Sequence, residues 1–194
     1  MGRKLLNPEL SQPQLVKEII RLQDRRSRRV TILTTVSALL VVAAMAVLAA
    51  TLWFPVLQIT GESLAPLLQN GHVVITQRTQ ELQRGDLAAF YHENRILVKR
   101  VIASSGDWVD IDDDGNVSVN GEMLEEEYLQ KAVLKPSNLS YPYQVPEGCL
   151  FVRGDNRAIS MDSRLSQIGP ISRDQILGKL LFRIWPLRKL EYLG

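Results

Sequence analysis

Residues 30–54 run for 25 positions without a charged side chain, and Arg25, Arg26, Arg28 and Arg29 stand just before them. A helix needs ~20 apolar residues to cross the hydrocarbon core of a bilayer, so this stretch predicts one transmembrane α-helix. It is longer than the apolar region of a cleaved secretory signal, which predicts retention as an anchor. Thr31, Thr34, Thr35 and Ser37 fit such a helix, because their hydroxyls can bond back to its own carbonyls. Trp53 and Phe54 close the run, where aromatic side chains favour the membrane interface. The alternative, a buried core helix, would normally show a polar face. The four arginines predict a cytoplasmic N-terminus, with residues 55–194 outside the cytoplasm and the whole chain a single-pass protein of the cell membrane.

The part behind the span is one domain's worth of chain and long enough to bury a core. The net charge of +2 hides an asymmetry: residues 1–29 carry eight basic and three acidic side chains, against 15 and 18 in the rest. The basic arm suits an anionic inner leaflet. Nucleic acid is excluded as a partner of the outer domain, which has no basic run. Cys149 is the only cysteine, so no internal disulfide and no cysteine zinc site can form. The expected organisation is a basic arm at 1–29, the span at 30–54 and an extracytoplasmic domain at 55–194, with a looser insertion at about 107–148. Within 9–29, Leu10, Leu15, Ile19, Ile20 and Leu22 make a modest amphipathic pattern. It fits either a segment lying on the membrane face or a solvated arm.

After the span the texture becomes β. Short apolar runs recur at Val56–Ile59, Val73–Ile75, Leu87–Tyr91, Ile96–Ile102, Trp108–Ile111, Val117–Val119, Cys149–Val152 and Lys179–Ile184. Turn signals separate them, among them Asn70-Gly71, Arg84-Gly85-Asp86, Asp114-Gly115-Asn116 and Asn120-Gly121. This spacing predicts an antiparallel sheet, sandwich or barrel. Residues 108–119 read as a hairpin and 122–144, with Pro136 and Pro142, as a surface excursion.

Three places could carry chemistry. Ser63 lies in Gly61-Glu62-Ser63-Leu64-Ala65-Pro66, just after a predicted strand. A Ser-His-Asp enzyme would need a histidine, but His72 adjoins a strand and His92 a polar turn, so both read as structural or solvated. A neutral lysine can serve as base if burial lowers its pKa from ~10.4. Lys99, in Ile96-Leu97-Val98-Lys99-Arg100-Val101-Ile102, shares a strand face with Leu97 and Val101. The strand alone leaves a salt-bridged or edge lysine open. The third place is 154–164, with Ser160, Asp162 and Arg164, dense enough in polar groups to brace a site, although a solvated loop has similar composition.

Taken together, these segments resemble bacterial signal peptidase I, the membrane-anchored serine proteases that remove signal peptides. Gly61–Leu68 resembles the nucleophile block, Arg84–Phe90 the following strand block, and Val98–Ile102 with Gly106-Asp107 the lysine block; Gly154–Arg164 resembles the last block. The order, behind an N-terminal anchor, is that of the family. The resemblance implies a mainly β fold: a compact antiparallel catalytic domain with a smaller β excursion, behind one transmembrane helix. It implies Ser63 as nucleophile and Lys99 as base, with Ser160 holding the lysine amine and Asp162 and Arg164 fixing the loop. Substrate clefts would be lined by Leu57, Ile59, Leu64, Leu68, Val74 and Val98, admitting small side chains, typically alanine, at the −1 and −3 positions. No metal and no cofactor are implied. The implied partners are signal-peptide-bearing preproteins and membrane lipid, with the protein a monomer.

Three positions depart from the family pattern. Leu64 stands where methionine is usual and Leu67 where threonine is usual. Gly61 stands where some relatives carry a serine that helps the oxyanion hole, so a second donor is not identified. A different reading is a catalytically weak member serving as a surface-assembly factor, against which an intact Ser63 and Lys99 argue. A self-cleaving repressor-type Ser-Lys protease is disfavoured by the span and the absence of a DNA-binding part.

Overall fold

The computed structural model describes residues 12–126 and 137–194. The chain divides into two compact units, Met1–Ala49 and Ala50–Gly194.

The described part of the first unit is helix α1, Gln12–Trp53, whose last residues run on past Ala49. Its portion Ser27–Trp53 is long and apolar enough to cross a membrane, and none of that surface is buried. The hydroxyls inside it bond back along the helix as expected, Thr34 to the Val30 carbonyl at 3.0 Å and Thr35 to that of Thr31 at 2.8 Å. They thereby carry no unsatisfied polar group into an apolar medium. The helix backbone has no break between Gln12 and the span. The amphipathic reading of 9–29 rests largely on side chains outside the described residues.

The second unit is antiparallel β throughout its ladders. Its strands are β1 (Val56–Gln58), β2 (Val73–Gln77), β3 (Leu87–His92), β4 (Arg95–Ser104), β5 (Trp108–Ile111), β6 (Val117–Val119), β7 (Glu122–Met123), β8 (Tyr143–Gln144), β9 (Cys149–Arg153), β10 (Ile171–Ser172), β11 (Ile176–Trp185) and β12 (Glu191–Tyr192). Among the described residues, eight of them form one sheet in the order β1-β2-β11-β3-β4-β9-β10, with β12 paired to β11. The other four form a small sheet, β7-β6-β5-β8, inside the predicted insertion. The part of the predicted excursion that holds Pro136 lies outside the described residues.

Sequence explains the roles of these strands. Leu87, Ala88, Ala89 and Phe90 are all buried, as a strand covered on both faces and flanked on both edges requires. By contrast β5 alternates, burying Val109 against Val117 and Val119 while exposing Trp108. The β5–β6 turn closes on the Asp112 carboxylate, which accepts from the Asn116 N–H at 2.8 Å and the Asp114 N–H at 3.0 Å. Phe90 and Phe151 are fully buried, each contributing ~1.5–3 kcal/mol relative to exposure.

Among the described residues, two strand edges near the start of the second unit lie open. Strand β1 pairs only with β2. Strand β4 pairs with β3 along 95–100, but its ladder with β9 begins only at Arg100. Among the described residues, no strand lies beside the outer edge of residues 95–98.

Candidate active site

The serine is carried on a short turn directly after β1. Gly61 takes a φ of +96°, a conformation that side chains disfavour, and this lets the chain swing from the strand into the turn. The turn is tied by the Ala65 N–H to the Glu62 carbonyl at 3.1 Å and the Leu68 N–H to that of Leu64 at 2.9 Å. Leu64 and Leu68, one helical turn apart, are both buried and pin it to the core below. Ser63 is left half-buried above them.

Lys99 enters from β4, opposite Ala88 of β3, a neighbour small enough to leave room for a long side chain. It is 4% exposed. Ser63 and Lys99 line one cleft of about 190 Å³, whose walls come from Leu57–Thr60 and Leu64 on one side and Ile96–Val98 on the other. Both strand segments thus border the same space.

The segment 154–164 closes the site from behind. The Asn156 N–H donates to the Ser63 carbonyl at 2.9 Å, and the Ser160 N–H to that of Asn156 at 3.0 Å. Gly154 lies so close that a Cβ there would come within 2.6 Å of the Ser63 carbonyl oxygen and 2.3 Å of the Ser160 Oγ. Asp162 and Arg164 form a bidentate pair, Nε to Oδ1 at 2.7 Å and Nη2 to Oδ2 at 2.9 Å. The same carboxylate accepts from the Gly154 N–H at 3.2 Å. Burial pushes the Asp162 carboxyl up, but the hydrogen bonds and charge of Arg164, with help from Arg153 and the Ser160 hydroxyl, hold it below the usual carboxylate value. The Ser160 Oγ is fully buried and influences Asp162 by proximity, yet forms no hydrogen bond of regular geometry. The hydrogen bond expected from Ser160 to the Lys99 amine is therefore not formed in this structure.

A second buried pair supports the first. Arg100 forks onto Asp155 at 2.9 and 2.6 Å and donates to the Gly85 carbonyl at 2.8 Å. It links the strand next to Lys99, the loop beside Gly154 and the Arg84–Phe90 segment. Arg157 pairs with Glu126. Arg153 is buried as well; that burial, with Arg157 and Arg164 nearby, pushes its guanidinium down to about 9.

Of the side chains expected to line the clefts, Leu57, Ile59, Leu64 and Val98 do so. Leu68 and Val74 do not reach the surface: both are 0% exposed and pack beneath the others in one core cluster. On β2, period two turns Val74 inward against that cluster. Cleft contributors that residue-type reasoning passed over are Gln58, Thr60, Ile96 and Leu97. Their signal was position on a strand edge, not polarity. The Asn156 and Gly154 contacts with Ser63 were also missed; only their place in a dense polar segment hinted at them.

The histidines stand apart from the cleft walls. His72 is buried, and its Nδ1 accepts the Gln69 N–H at 3.2 Å. That bond requires a neutral ring. Burial, then the charges of Arg183 and Lys189, hold its pKa below 6.5. Because the folded state resists the proton more than the unfolded chain does, His72 contributes its full stability above pH ~6.5 and loses it as pH falls toward the lowered value. Substituting His72→Asn, whose oxygen can accept the same N–H, should flatten Tm against pH in that window. An unchanged Tm–pH slope would contradict the assignment.

A buried amine and a hydroxyl in one apolar cleft, braced by a neutralised ion pair, are the elements of nucleophilic acyl transfer. Comparison with known proteins gives the family. The family described as signal peptidase, peptidase S26, matches residues 32–185. A signal peptidase I of Bacillus amyloliquefaciens is 29% identical over 180 residues, covering 87% of this chain and 96% of its own length. Signal peptidase IB of Staphylococcus aureus (strain MRSA252) is 37% identical over 155 residues, 69% of this chain and 79% of its own. A crystal structure of a signal peptidase I from Enterococcus faecalis V583 is 34% identical, covering 52% of this chain and 97% of that one, at a TM-score of 0.43.

Proposed function

The chain belongs to the signal peptidase family, peptidase S26, and is a membrane-anchored serine peptidase that cleaves signal peptides; from that premise we propose that Ser63 and Lys99 are its catalytic dyad. The observation that carries the assignment is a lysine 4% exposed sharing one cleft with Ser63. Burial disfavours the charged amine, and a neutral Lys99 accepts the proton of Ser63 Oγ. Ser63 then attacks the carbonyl at the signal-peptide junction. Its own backbone N–H stabilises the oxyanion, a donor worth ~3 kcal/mol in comparable sites. Lys99 returns the proton to the leaving amine and next activates the water that frees the acyl-enzyme.

The preprotein lies extended between the edge of β1 and that of residues 95–98, where main-chain hydrogen bonds give affinity and the cleft gives selectivity. Leu57, Ile59, Leu64 and Val98 leave shallow apolar space, which suits small side chains at −1 and −3. Asp162 and Arg164 hold the loop behind the serine, and Ser160 completes it. The arm at 1–29 lies in the cytoplasm, residues 30–54 span the membrane, and residues 55–194 act as a monomeric domain on the far side. The anchor keeps enzyme and preprotein in one membrane plane, which raises their effective concentration.

One experiment tests activity and orientation together. Sealed right-side-out vesicles carrying the chain should cleave an added precursor after Ala-X-Ala without detergent, and inverted vesicles only once detergent opens them. Failure of both in detergent would sink the assignment. Cleavage by sealed inverted vesicles would reverse the orientation.

A further inference from the structure

The turn that carries the serine is held at two carbonyls, and the groups that aim its second support lie beyond the family match. Asn156 grips the Ser63 carbonyl. Four residues on, the Leu67 carbonyl accepts from Nη1 of Arg183. Arg183 lies on β11, with Val74 of β2 as its partner on one side and Glu191 of β12 on the other. Its side chain is buried. The other two arms of its guanidinium are committed as well, Nε to the Lys189 carbonyl at 2.6 Å and Nη2 to Glu191 Oε2 at 2.5 Å. The guanidinium is a rigid planar fork, so fixing two nitrogens fixes the direction of the third. Lys189 and Glu191 both lie beyond residue 185, where the family match ends.

We propose that Arg183 is a positioning residue for the serine turn, aimed at the Leu67 carbonyl by the C-terminal segment through Lys189 and Glu191. The inference rests on reading Ser63 as the nucleophile. Buried Leu64 and Leu68 pin the turn from below and Asn156 holds it at Ser63, which leaves the Leu67 end of its backbone to be fixed. Held also at Leu67, it presents Oγ in one orientation.

The test uses the full chain in detergent with a peptide substrate. Because a misplacement of ~1 Å can cost about 100-fold in rate, Arg183→Met should lower kcat by about 10- to 100-fold with KM changed less than about threefold. Arg183→Lys, which keeps a cationic donor group but not the planar fork, should recover part of kcat. Glu191→Ala, at a side chain 47% exposed, should lower kcat a few-fold. It should add nothing to the Arg183→Met loss, because both act through one contact. Hydrogen exchange should quicken at 62–68 and stay unchanged in β3 and β4. Glu191→Ala carries the test if Arg183→Met does not fold. A kcat within twofold of the parent in these variants, or exchange quickened equally in β3 and β4, would overturn the proposal. Should Ser63→Ala retain activity, the dyad reading fails instead, and exchange at 62–68 still decides whether Arg183 holds the turn.

Discussion

Lys99→Arg should be as inactive as Ser63→Ala, with kcat/KM reduced on the order of 10³-fold or more, the scale of a lost general base and nucleophile. Arginine keeps the charge and most of the length, but it cannot give up its proton near neutral pH. It would also bring a permanent charge into a position where lysine is 4% exposed. Loss in Lys99→Arg together with Lys99→Ala therefore separates a base from a cation that merely attracts substrate. In the proposed mechanism serine and base act in one step, so the double variant should be hardly worse than either single one. The parent enzyme should gain activity with pH along a limb well below ~10.4, the range of an exposed lysine. That limb should persist in a His72→Ala, His92→Ala double variant, since neither histidine lines the cleft. Near-normal turnover in Lys99→Arg, or a limb that disappears with the histidines, would remove the lysine from the mechanism.

The ease with which this fold can be read varies with the length of its elements. The eight longer strands each contain an apolar run that the sequence displays plainly, and β5 and β6 have the expected ends. The two-residue strands β7, β8, β10 and β12 escaped, because two residues have no period. Ser63 and Lys99 stand out in the sequence for different reasons: a glycine two residues before the serine marks a turn, and a lysine inside an apolar strand violates the usual pattern. Arg100 violates it too, but the resolution lies 55 residues away in Asp155, and no local pattern predicts so distant a partner. The same is true of Arg183, whose contact with Leu67 spans 116 residues. Leu68 and Val74 were placed one layer too near the surface. Apolar character says that a side chain is covered, not whether substrate or protein covers it.

The packing of Gly154 gives the second large expectation. Gly154→Ala should cut kcat by about 100-fold or more, since the site tolerates little displacement of the serine. The added Cβ would sit 2.3 Å from Ser160 Oγ, 2.7 Å from Ser160 Cβ and 2.6 Å from the Ser63 carbonyl oxygen. All are well inside contact distance, so something must move. Overpacking of this kind usually costs ~1–3 kcal/mol of stability, which a Tm measurement would register. The two obstacles differ in kind, and that allows a sharper experiment. Ser160 can be trimmed: adding Ser160→Gly removes both of its clashing atoms. The Ser63 carbonyl cannot be trimmed, and retreating would stretch its 2.9 Å bond from the Asn156 N–H. Gly154→Ala with Ser160→Gly should therefore regain part of the lost Tm while kcat stays low. Recovery of kcat along with Tm would show that the alanine disturbs the loop and not the serine. Turnover near that of the parent in Gly154→Ala alone would mean that the loop does not press on the catalytic turn at all.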